Sequence, residues 1–139
     1  MTKTEIAASM HGRGCNCAQS VVCAFASECN ADVATLMKAS EGFGLGCGGT
    51  AGICGALAGA ILAAGFVYAD GNNDEPCTKK TTYAVTKQLC ADFEKECGAL
   101  LCCDLKGVHT GKPITPCAKC IEVGVKLVED MLGGKYADK

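Results

Sequence analysis

The chain has no tryptophan, only two histidines, no run of basic residues, and no stretch where polar and apolar residues keep alternating. The missing alternation argues against a sheet and for an all-α fold. With no basic run and a net charge of −2, nothing points to nucleic acid or to an acidic partner. With His11 and His109 as the whole histidine supply, any metal site must be dominated by sulfur. Both histidines fall in stretches read as polar loops and are taken as bystanders. There is no C-x-x-C-H, so covalent haem is not indicated. The opening residues, MTKTEIAASMHGRG, lack the apolar segment of a secretory signal, which leads us to expect a cytoplasmic protein.

What the sequence does have is cysteine, thirteen in 139 residues. An odd number cannot all pair within one chain. In a reducing compartment the default is free thiols, metal ligands or catalytic dithiols rather than a disulfide scaffold. The length suits one domain, here residues 1–139, which can bury a core without cross-links.

The longest uncharged stretch lies between Glu41 and Asp70 and contains Phe43 to Ala69, FGLGCGGTAGICGALAGAILAAGFVYA. It starts glycine-rich and, from about Thr50, reads as a helix apolar on every side. Such a helix is either central to a bundle or inserted in a membrane. Its Ala/Gly content, and the lack of flanking basic clusters and an aromatic belt, favour the bundle. Gly55 and Gly59 share a face and allow another backbone to approach closely. Around this helix we expect a compact bundle of five or six helices. Residues 3–11 form a lead-in. Asn16 caps a helix to about Glu28, with Ala18, Val21, Val22, Phe25 and Cys29 as its apolar stripe. Asp32 caps another to Gly42. A polar turn, DGNNDEP, separates the central helix from one over Thr78–Cys97, whose apolar side carries Tyr83, Leu89 and Phe93. Thr115 as cap and Pro116 at the first helical position start the last helix, from Cys117 to about Leu132, with Cys120, Ile121, Gly124, Leu127, Val128 and Met131 buried.

Several cysteines fall where chemistry is favoured. Cys117 and Cys120 form a C-x-x-C at a helix start, suited to a dithiol or to two ligands of a cluster. Cys102 and Cys103 are adjacent and do not readily close a relaxed ring. The sequence Gly44-Leu-Gly-Cys-Gly-Gly49 matches G-x-G-x-x-G, but no strand precedes it, so we read it as a turn with free N–H groups near Cys47 and Cys54 rather than a dinucleotide site. Cys23, Cys29, Cys77 and Cys90 are read as small packing residues, and Cys97 is left unassigned.

At Asn16-Cys-Ala-Gln19, Gly42-Phe-Gly44, Cys54-Gly-Ala-Leu-Ala-Gly59, Cys103-Asp-Leu105 and Cys117, the chain resembles the redox-active proteins named for a C…GCAxxG…C…C pattern. The resemblance implies a helical redox protein whose four hallmark cysteines are Cys17, Cys54, Cys103 and Cys117. Similar four-cysteine segments beside the iron–sulfur site of split-Soret cytochromes direct that implication toward a cluster. Cys15, Cys47, Cys102 and Cys120, each close to a hallmark position, are the secondary candidates. Three functions remain open: an iron–sulfur electron carrier, a metal-free thiol–disulfide oxidoreductase or sensor built on Cys117/Cys120 or a Cys54 pair, and a carrier of soft metals such as Cu, Zn or Hg. The expected partner is another redox protein, and a homodimer is left open. No substrate pocket is legible.

Overall fold

The computed structural model describes residues 1–136. Its helices are α1 (Lys3–Gly12), α2 (Cys17–Cys23), α3 (Ala26–Cys29), α4 (Val33–Glu41), α5 (Gly44–Cys47), α6 (Gly55–Tyr68), α7 (Lys79–Cys97), α8 (Cys102–Lys106) and α9 (Cys117–Leu132). Among the described residues the only strand-like pairing is one antiparallel bridge, between Ile53 and Leu101. The bundle is therefore all-helical, as expected. Of its six longer helices, α2 and α4, α4 and α6, and α7 and α9 are joined through the short helical turns α3, α5 and α8, while residues 69–78 link α6 to α7 without helix.

The Ala/Gly-rich helix α6 is central, packed by α2, α7 and α9. Small residues set that packing. A Cβ on Gly59 would lie 2.7 Å from the Ala18 carbonyl oxygen, and one on Gly55 would lie 3.2 Å from the Ala18 nitrogen. On the other side, a Cβ on Gly124 of α9 would lie 3.0 Å from the Ala56 carbonyl oxygen. Backbone thus meets backbone on two sides of α6. Larger residues fill the volume around it, including Phe25, Leu57, Leu89, Phe93 and Met131, all at most 1% exposed. Each contributes roughly 1.5–3 kcal/mol by leaving water. No helix among the described residues is long and apolar enough to cross a membrane.

Local sequence explains most boundaries. Asn16 and Gln19 form a reciprocal capping box at the start of α2. The same two side chains also reach α4: the Asn16 amide donates to the Glu41 carbonyl at 2.9 Å and the Gln19 amide to the Met37 carbonyl at 3.2 Å. Asp32 accepts from the Thr35 N–H and caps α4. Gly98, at φ 94°, ends α7 in the left-handed conformation that a glycine adopts without strain.

Several expectations are corrected. The helix from Asn16 breaks at Phe25, so α3 is a separate turn. α6 starts at Gly55, not Thr50, because the preceding residues pair elsewhere: the Cys102 N–H donates to the Gly52 carbonyl and the Cys103 N–H to the Thr50 carbonyl. The end of α6 is not buried all round, since Phe66 and Val67 are exposed. Tyr83 and Cys77 are exposed as well, so neither packs in the core. Pro116, not Thr115, occupies the cap position of α9, and the Thr115 hydroxyl is turned to the Cys97 carbonyl at 2.6 Å.

Candidate functional site

Four cysteines distant in sequence sit at helix starts. Cys17 is the first residue of α2, Cys102 of α8 and Cys117 of α9, while Cys54 occupies the cap position of α6. These four, with Cys120 one turn into α9, line a single cavity of about 180 Å³. The wall opposite is built by α1, which supplies His11, and by the turn that supplies Leu45.

The glycine-rich turn explains how a wall can come so close to Cys102. Leu45, Gly46, Cys47 and Gly48 all have positive φ, a conformation that non-glycine residues rarely keep unless the surroundings hold them there. Three hydrogen bonds do so: Gly48 N–H to the Gly44 carbonyl, Thr50 N–H to the Leu45 carbonyl and Gly52 N–H to the Gly46 carbonyl, at 2.8–2.9 Å. A Cβ on Gly46 would lie 2.5 Å from that of Cys102, so only glycine fits there.

The cavity's electrostatics are those of a sulfur site with one cation. Lys106 is its one lysine or arginine, and no carboxylate lines it among the described residues. The Cys117 sulfur attracts and hydrogen-bonds the Lys106 ammonium, which holds that lysine above its ordinary value. The thiols resist ionisation one at a time. Burial, then the negative charge that a neighbouring Cys117 or Cys54 sulfur would carry, pushes Cys17 up to about 12. Cys54 is pushed up further, first by its hydrogen bond with Cys120 and then by burial. The N–H groups of Ala56 and Leu57, at the open first turn of α6, act in the opposite sense on the Cys54 sulfur. That contact is too loose to form a helix cap. Such a site favours thiolates only when positive charge is brought to several of them together.

The expected residues divide cleanly. Cys17, Cys54 and Cys117 meet at the cavity, and so do the secondary candidates Cys102 and Cys120. Cys103 does not line it; it lies one residue further around α8, with its sulfur 3.9 Å from the Asp104 carboxylate. Cys47 is exposed and folds back on its own turn, its Sγ 2.7 Å from where a Cβ of Gly52 would stand. Cys15 lies instead with Cys23, whose thiol is pushed up to about 11 by burial and by neighbouring Cys15 and Cys29. His11 belongs to α1 rather than a loop and faces the cavity, whereas His109 is in an exposed turn. The residue that sequence reasoning left unassigned, Cys97, is buried at the end of α7, its thiol held below its ordinary value chiefly by the neighbouring Cys120 thiol. No local signal points to that neighbour, which belongs to the start of α9.

Among the described residues, no three metal-capable side chains converge tightly enough to hold a single ion. The donor set nonetheless suits a larger group: sulfurs from four different helices around one cavity, a lysine for counter-charge, and no competing carboxylate.

Comparison with known proteins agrees with this sulfur-lined arrangement. Nothing among the curated proteins or the solved structures matches the chain. A family model described as "Putative redox-active protein (C_GCAxxG_C_C)" matches residues 15–131, a span that runs from the cysteines before α2 to the last turn of α9. The chain belongs to that family of redox-active proteins.

Proposed function

We propose that the chain is an electron-transfer protein whose Cys17, Cys54, Cys102 and Cys117 thiolates hold an iron–sulfur cluster in the cavity. The observation that carries this reading is the meeting of four helix-start sulfurs at one cavity beside Lys106. A single tetrahedral zinc, with bonds of about 2.3 Å, needs its sulfurs drawn close together, and among the described residues no three metal-capable side chains converge in that way. Cys17, Cys54, Cys102 and Cys117 would each supply one thiolate to the proposed cluster.

The cluster would supply a one-electron couple. The rest is the chain's own work. The four thiols give up their protons on binding. Lys106 offsets part of the negative charge and so favours the reduced state. Leu45, Leu105 and the buried start of α6 restrict water, which tunes the potential. Electron exchange would occur with a redox protein partner, and a cytoplasmic location fits free thiolates.

A second reading has its own support. The Cys117 sulfur lies near enough to Cys17, and the Cys120 sulfur to Cys54, for each to raise its neighbour's thiol. These pairs suit a metal-free dithiol oxidoreductase. Anaerobic purification separates the two. The cluster reading expects brown protein with iron and acid-labile sulfide in comparable amounts. Colourless, folded, iron-free protein that cannot be reconstituted would overturn it in favour of the dithiols.

A further inference from the structure

Helix α6 is apolar on every side, and such a helix calls for cover on every side. α2, α7 and α9 supply it along most of the length. The last turns of α6 lack it. There Phe66 is 41% exposed, and an open groove of about 580 Å³ runs between Ile61, Leu62 and Phe66 of α6 and Thr82 and Tyr83 of α7. Tyr83 is 64% exposed. Thr82 carries an unmatched polar atom: its Oγ1 is shielded from solvent and has no hydrogen-bond partner among the described residues. The groove's two ends differ in charge. At one end the loop between α6 and α7 holds Asp70, Asp74 and Glu75. It is kept in shape by the Asp70 and Asn72 side chains, which accept from the N–H groups of Asn72, Asp74 and Glu75 at 3.0–3.1 Å. Lys79 and Lys80 follow the loop and offset part of its charge, leaving that end net negative. At the other end Lys87 lies one turn past Tyr83 on α7. All of these charged groups are exposed, and none is in an ion pair among the described residues.

We propose that this face binds a second copy of the chain, with a two-fold axis through the groove. Such an axis exchanges the groove's two ends. It brings Lys87 of each copy to the acidic loop of the other, and lays Phe66 and Tyr83 of each against the other's groove. It also brings a second Tyr83 hydroxyl to the groove that holds the unmatched Thr82 oxygen. Charge selects this occupant over others. A copy carries the matching sign at both ends, whereas a partner of one sign pairs with one end and is repelled at the other. Covering Phe66 and Tyr83 on both copies removes from water the largest apolar groups that line the groove. The cysteine-lined cavity lies at the opposite end of α6, with Gly55 about 16 Å along the helix from Phe66. The dimer therefore leaves the cavity free, and the inference does not rest on the cluster reading.

Sedimentation equilibrium of the full chain tests this, with reductant present so that the exposed Cys47 and Cys77 form no cross-link. The series runs to ~100 µM, above the roughly micromolar weak limit for an interface of ordinary size. The expected species has twice the chain mass of 14.2 kDa. Phe66→Glu, at a half-exposed position, is monomeric over the same range with unchanged helical circular dichroism, while Val33→Glu, exposed on α4, stays dimeric. Lys87→Glu and Asp74→Lys/Glu75→Lys each weaken self-association by ~10-fold or more, because like charges then meet across the axis. Mixed in equal amounts, these two chains pair at near wild-type strength, and the pairing is lost when both also carry Phe66→Glu. Misfolding of either chain does not produce that pattern. Wild type that stays monomeric throughout, a dimer that survives Phe66→Glu, or charge variants that fail to complement each other overturns the proposal. In the first case, an apolar dye bound by wild type and not by Phe66→Glu assigns the groove to a small molecule instead.

Discussion

Cys54 and Cys23 are equally hidden, each 6% exposed, and both have other cysteines beside them, yet only one stands at a cavity. Cys54 stands at the open end of α6, beside unpaired N–H groups, with a cavity before it and other helix-start sulfurs across the gap. Cys23 ends α2 inside the apolar cluster, near Cys15 and Cys29, and does not line the cavity at which Cys54 stands. Burial alone therefore does not tell a working sulfur from a packing one. The distinction lies in whether polar backbone, a cation and empty space are present as well. Cys17, Cys54, Cys102 and Cys117 have that setting; Cys23 and Cys29 do not.

The sharpest way to break this comparison is to remove one sulfur from each region. Cys54→Ser is expected to lose most of the bound iron, whereas Cys23→Ala keeps it and loses about 1 kcal/mol of stability, the usual scale for a small core truncation. Iron analysis and thermal melts of the two proteins read both effects. The adjacent pair refines the result: Cys102→Ser should behave like Cys54→Ser, and Cys103→Ser like wild type. Equal iron loss in the Cys54 and Cys23 variants would erase the distinction.

A smaller effect concerns how the cavity end is assembled. Gly59→Ala places a methyl group 2.7 Å from the Ala18 carbonyl oxygen and pushes α2 away from α6. Overpacking of this kind costs about 1–3 kcal/mol, so the melting temperature should fall by several degrees and metal content with it. Gly65→Ala, on the same helix but with open space around it, should leave metal content unchanged and raise the melting temperature slightly, since alanine is favoured over glycine within a helix by about 0.5–1 kcal/mol.

The smallest effect is a pH slope. Cys23 is held up to about 11 and Cys17 to about 12, from an ordinary value of 9.0. Below pH 9 both thiols are protonated whether the chain is folded or not, and their contribution is complete. Between 9 and 12 only the unfolded chain releases the protons, so stability falls as pH rises. In metal-free protein both residues contribute to that fall. With the cluster bound, Cys17 has no proton to lose and only the Cys23 part remains. Chemical denaturation at pH 8, 9.5 and 10.5, with and without metal, measures the difference.

Much of this arrangement was legible in the sequence because the signals are local. Asn16 and Gln19 cap a helix in the ordinary way, Gly55 and Gly59 lie four apart on one helix, and the all-α class follows from periodicity. Cys17, Cys54 and Cys117 could be picked out as helix-start sulfurs. What failed to show depends on contacts between distant segments. Thr50 to Ile53 look like the start of a helix, but they are claimed by hydrogen bonds from residues 102 and 103 and by the bridge to Leu101. The short helix α8 carries no strong local signal, and one residue around a helix is about 100°, enough to exchange Cys102 for Cys103 at the cavity. Thr115 looked like a cap and instead secures Cys97. The nearness of Cys97 to Cys120 has no trace in either local sequence.

The central claim is that the sulfurs at the starts of α2, α6, α8 and α9 act as one set. Anomalous diffraction at the iron absorption edge, from crystals of the anaerobically purified protein, tests it most directly. The account predicts a strong iron peak inside the cavity, bonded to the sulfurs of Cys17, Cys54, Cys102 and Cys117. Iron located beside Cys15, Cys23 and Cys29, or a cavity with no peak in fully folded crystals, would contradict it.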